Sequence, residues 1–499
     1  MFDPFIAPSG TLLGLLQRGR GDGTLHALAA PRPEALAALN HCVLSDPRHD
    51  WQVENRSLYY ARLYLDLDGG TEEIERHLWD AEDHLDTDDS RTGLALAVLG
   101  HLASYGRDDA LVLLRRYAAT GANWAWALDE LALRDDDAGL RSLAEAVLAR
   151  FPATADGTAG LAAAVRDAFE PRPWRLWADD PREAVGARVR AATEQGSFDR
   201  WQRQMRPGGP RPGWSVQAVF DWAQEGLERG SALHVPAARC LSAVAGAEDR
   251  PLIIEAARSG SEGARCAALH YLAEARDPAV LDLVERAAGG PSRTVAEAAV
   301  AAFERMCGEA AVDRARGWVH RPDALGASAA GVLACRGGVQ DAPLVLAALR
   351  EAVRGEGPDA TRLWTLVDGV RRLGIACAAP VLRHVYRETS SSHLRGRAAR
   401  ALAATDPSFA SGFAVECLWD CEETTRELAA HHAETGDCLL YTSIRDRGGR
   451  GPDRRTQQDR TGRTRSLSRS SAGSRSPDAA RRGRAAQSSQ DVPCAERST

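Results

Sequence analysis

One small residue and one large apolar residue, four positions apart, recur along this chain at near-constant spacing. The pairs are Ala237/Leu241, Ala268/Leu272, Ala299/Phe303, Ala329/Leu333, Gly369/Leu373 and Ala398/Leu402. Successive pairs lie 31, 31, 30, 40 and 29 residues apart. Positions four apart share one face of a helix, so each pair marks one helical seam. Punctuation recurs with the pairs. Pro251, Pro278, Pro343, Pro380 and Pro407 are each expected to open a second helix, and four of them follow an Asp by one or two residues. Asp accepts from the free N–H groups of a helix start, and Pro suits the first turn because its missing donor is not needed there. A helix–turn–helix unit repeating at about 30 residues predicts an all-α solenoid, a superhelix of antiparallel helix pairs, of about ten pairs here. In GARCAALHYLAEARDPAVLDLVERAAGG (263–290), Ala268 and Leu272 then form the inter-helix seam, while Arg265 and Asp277 are surface and cap residues.

Four regions are expected. Residues 1–152 repeat more loosely, with Ala61/Leu65, Ala95/Leu99 and Ala127/Leu131 lying 34 and 32 apart. Residues 231–437 hold the regular repeats. Between them, 153–230 breaks the pattern and reads as an irregular insert. Its segment 171–214 carries nine Arg, five acids and four Trp. Arg and Trp are enriched where interfaces draw their binding energy, and Arg stacks on Trp faces. Arg172, Trp174, Arg175, Trp177, Trp201, Arg203 and Trp214 are therefore the candidate partner-binding residues. The competing expectation is that these tryptophans pin the insert to the solenoid.

The fourth region, 438–499, carries 14 Arg against six acids and too few large apolar residues to fold, so disorder is expected. Its abrupt onset, in the middle of a repeat, is also what a frame shift in a GC-rich gene produces. A solenoid cut there would lack a C-terminal cap, and its last helix should fray or expose an apolar face.

Net charge narrows the function classes. The whole chain carries −7, and once the basic tail is set aside residues 1–437 carry −15. That acidity argues against nucleic-acid binding by residues 1–437. All 62 basic residues are Arg, so neither a lysine Schiff base nor a P-loop lysine can form. The cysteines are scattered, as in a reducing cytoplasm, and no run approaches membrane-spanning length. Cys417 and Cys421 with His431 and His432 lack the tighter spacing of structural zinc sites. In the acidic stretch 66–90, Thr71 and His77 stand where a calcium loop needs Gly and Glu. No catalytic residue, metal or cofactor is expected.

GARCAALHYLAEARDPAVLDL and LRGRAARALAATDPSFA resemble the HEAT-repeat superfamily, in particular the short HEAT-like repeats of phycobilisome-lyase proteins. The resemblance covers about 230–435 well and 30–150 moderately. It implies a non-catalytic scaffold that grips a protein or peptide partner along its concave face. The alternative it implies is a solenoid enzyme, either bilin-lyase-like or alkylbase DNA-glycosylase-like.

Overall fold

The computed structural model describes residues 6–46, 56–80, 89–195 and 213–433. The 438–499 tail, with its expected disorder, lies outside the described residues. Among those described there are 26 α-helices and no strand, so the chain is an all-α solenoid. No helix among them is long and apolar enough to cross a membrane.

The repeats form where the sequence signals stand. In the regular region a hydroxyl or Asp caps four of the first helices. Ser261, Ser292, Asp323 and Ser391 accept from Ala264, Val295, Gly326 and Leu394, opening helices Glu262–Glu274, Arg293–Arg305, Ala324–Arg336 and Ser392–Thr405. Pro251, Pro343 and Pro380 lie in the first turn of second helices, and Pro278 sits at the N-cap of Ala279–Ala288. Pro407 departs from this expectation. Asp406 accepts from the Ser408 N–H and hydroxyl and holds a turn, and the next helix begins only at Phe413.

Both members of five of the six small/large pairs are buried; only Leu373 is half-exposed. The small residue admits a neighbouring backbone. A Cβ on Gly369 would stand 2.7 Å from the Ala334 Cα, so Leu363–Leu373 lies almost directly on Ala324–Arg336. First helices pack on one another in this way through the regular region, whereas successive second helices there hardly touch. The tighter layer lies inside the curve of a stacked array, so the first helices form the concave side.

Arginine ties repeat to repeat. Arg250, Arg316 and Arg383, on second helices, pair with Asp277, Asp341 and Asp406 of the following joint at 2.6, 2.8 and 2.5 Å. A second set caps exposed helix ends. Arg372 donates to the carbonyls of Leu333, Ala334 and Gly337, and Arg150 to those of Ala119 and Gly121. A planar fork reaches two carbonyls at once, which a lysine ammonium does less well.

His270, in the most regular repeat, is buried and stacks on His234 at 5.0 Å, and neither of its ring nitrogens has a hydrogen-bond partner. Burial, then Arg305 and His234, hold it down at about pKa 3. The unfolded imidazole takes its proton near pH 6.5, while the folded one stays neutral until about pH 3. Its contribution to stability is therefore complete above pH 6.5 and is lost as the pH falls below that. The loss is about 1.4 kcal/mol per pH unit down to about pH 3. Urea unfolding at pH 7 and pH 5 is expected to show His270→Leu losing about 2 kcal/mol less than wild type over that interval. Equal losses would show that His270 takes a proton in the fold.

Candidate functional site

Most of the segment expected to be irregular is helical. It carries Ala155–Asp167, Arg172–Ala178, Glu183–Gln195 and Val216–Glu228. Pro171 and Pro173 bracket the start of the short helix Arg172–Ala178, where proline is tolerated in the first turn; the other three helices of the segment have 13 residues each but are unevenly spaced. Trp174 and Trp177 pack into the N-terminal core at 3% and 0% exposure. Their rings meet edge-on at 5.0 Å, Trp174 continues to Trp124 and then Phe151, and the Trp177 indole N–H donates to the Leu140 carbonyl at 2.8 Å. Arg172 donates to the Ala132 and Asp135 carbonyls and pairs with Asp137 at 2.6 Å. It thus caps a helix end as Arg372 and Arg150 do. Arg175 lies on the same helix, half-exposed or more. Trp214 is half-buried, 5.1 Å from Trp222, at the edge of the C-terminal core. Trp201 and Arg203 lie outside the described residues. The structure therefore buries Trp174 and Trp177 together inside the fold and leaves Arg172 part-exposed on the same helix.

A second feature has no counterpart in the sequence reading. The two ends of the described chain meet. Residues 216–429 share one apolar core and residues 16–192 another, and Cys421 belongs to the second. The Gly19 carbonyl accepts from the Cys421 N–H at 3.0 Å and from the Arg395 guanidinium at 3.2 Å. Arg395, wholly buried, forks onto Asp420 at 2.7 and 3.1 Å. Burial works against its charge, and Asp420 more than offsets that, so its proton is held more tightly than usual. Arg56, also fully buried, donates to the carbonyls of Gln17 and Ser390. Arg20 pairs with Glu416 at 2.8 Å, although burial still pushes that carboxyl up to about 7.

Glycine makes this approach possible. Gly19 has φ +64°, and a Cβ there would lie 2.6 Å from the Cys421 sulfur; on Gly21 it would lie 1.8 Å from the Glu416 carbonyl oxygen. Cys417, Leu418 and Cys421, which precede the last described helix Glu423–His432, are all buried. The two cysteines serve different neighbours. The Cys417 sulfur lies 3.2 Å from the Tyr386 hydroxyl, and that of Cys421 faces Arg395.

First helices stand on both sides of this seam. Ser392–Thr405 packs on Glu423–His432, and Arg56–Asp66 packs on Asp89–Ser104, which packs on Trp124–Arg134; across the seam the charge of Arg62 reaches Arg426. Arg400 donates to the Thr424 hydroxyl at 3.2 Å, and Arg426 to the carbonyls of Asp420 and Cys421 at 2.7 Å. Arg62 donates to the Tyr105 hydroxyl at 3.4 Å, and Arg134 to Ser104 at 3.0 Å and to Glu130 at 2.6 Å. Burial first, then Arg62, lowers the pKa of Arg426. Burial, then Arg134 and Arg62, holds His101 at about 4, so it is neutral at pH 7. Burial pushes Glu130 up to about 7 against the pull of Arg134. Sequence reasoning missed this group because Arg is everywhere in the chain, and nothing local marks those that gather here. No protein-family model matches the chain, and no curated protein is significantly similar to it.

Proposed function

We propose that this protein is a non-catalytic interaction scaffold that holds a partner protein segment along its layer of first helices. What supports this reading is that first helices stand on both sides of the seam where the chain ends meet. A surface shared by both halves of the chain offers a longer track than either half alone, as solenoids use for extended partners. The buried positions of Trp174 and Trp177 favour placing recognition on this shared surface rather than on the 171–178 segment.

The experiment is site-specific photo-cross-linking in a lysate of the source cells. A photoreactive residue replaces either Tyr105, on the first-helix side, or Val112, on the second helix Asp108–Thr120 of the same repeat. Discrete protein adducts from position 105 and none from 112 are expected. Adducts from position 112 alone, or from neither, would overturn the reading.

A further inference from the structure

Among the described residues, Arg62, Arg400 and Arg426 have no carboxylate within ion-pair distance, in a body whose net charge is −15. Most other arginines of the repeats are paired or cap a helix end. Arg426 uses one nitrogen for two carbonyls, Arg400 meets a hydroxyl, and Arg62 makes one long hydrogen bond. The nearby acids are engaged or turned outward. Asp420 is committed to Arg395, Glu130 to Arg134, and Glu423 is exposed at the end of its helix. Like charges gathered on a half-buried surface without counter-charges cost stability, and such costs are commonly retained where a ligand supplies the missing charge.

We propose that the strip formed by Arg62, Arg400 and Arg426, with Tyr105 and His101 beside it, binds an acidic segment of the partner protein. This rests on the scaffold reading and names the chemistry of the segment. Carboxylates suit guanidinium forks, which take them with two parallel hydrogen bonds. Four neighbouring helices at the usual 8–10 Å separation make a strip roughly 30 Å long. That matches about nine residues of extended peptide. A nucleic-acid duplex would satisfy the same arginines, but its dense charge continues beyond the strip and would meet the acidic remainder of the body. A short acidic segment meets only the strip.

The test uses the full chain and a fluorescein-labelled ten-residue poly-glutamate peptide, read by fluorescence anisotropy at 50 and 200 mM salt. Wild type is expected to bind at low salt and to weaken at high salt. Arg62→Gln/Arg400→Gln is expected to bind at least tenfold more weakly, with a thermal melt no lower than that of wild type. Arg258→Gln, on a second helix, is expected to bind as wild type does. Equal affinity of all three proteins, or no binding by wild type, overturns the proposal. So does tighter binding of a 20-base-pair duplex that is lost with the same two arginines. Cross-links at position 105 would still stand if the peptide failed to bind, so failure of the acidic chemistry and failure of the scaffold reading give different results.

Discussion

Asp420→Asn is expected to separate the chain ends while leaving the arms folded. Arg395 is wholly buried, and among the described residues Asp420 is its only carboxylate partner. Removing one partner of a buried pair leaves an uncompensated charge and costs about 3–5 kcal/mol. The loss should concentrate at the seam. Hydrogen exchange should quicken across 12–24 and 413–421, while helices Glu262–Glu274 and Arg293–Arg305 keep their protection, because they belong to a core that does not depend on residues 16–24. The double replacement Arg395→Met/Asp420→Leu removes both charges, and such exchanges are often neutral or stabilising. It is expected to recover most of the loss. Full protection of 12–24 in the single variant would mean that the seam is held by its apolar contacts alone.

Trp177→Ala is expected to destabilise the N-terminal arm by about 3–5 kcal/mol, measured by urea denaturation. Trp177 is the largest fully buried side chain. Truncating it empties the space beneath Trp174 and leaves the Leu140 carbonyl without its indole donor. Trp177→Phe keeps most of the apolar contact and should lose less, with the missing hydrogen bond contributing about 1 kcal/mol of the cost. The same Trp177→Ala protein should keep its position-105 cross-links at a temperature where it remains folded. Losing them under those conditions would return the 171–178 segment to the binding surface.

What the sequence made legible follows from distance along the chain. Ala268 with Leu272, Ser261 and Asp277 act within one or two turns, so periodicity and cap chemistry predict the helix pair around them. Pro407 misled because the same Asp-Pro dipeptide that opens a helix elsewhere also closes a turn when Ser408 follows. The tryptophans of the 171–178 helix were recognisable as anchors, but composition does not separate an anchor in a core from one at an interface. The seam was out of reach for a plainer reason. Gly19 and Cys421 lie about 400 residues apart, and Arg56 and Arg395 look like any of the other arginines. Only the crowding of glycines in GRGDG (19–23) hinted that a backbone must pass close by.

The meeting of the chain ends also has a consequence for synthesis. Gly19, Arg20 and Gly21 leave the ribosome about 400 residues before Glu416 and Cys421, which they meet in the fold. At about 5–20 residues per second that delay is roughly 20–80 s. The helix pairs can form locally during this time, because each needs only its neighbours. Gly19 and Arg20 must wait for Cys421 and Glu416. Closure therefore follows the formation of the helix pairs between them. During that interval a nascent chain is exposed to holding chaperones, or to the matching end of another copy, at one defined place.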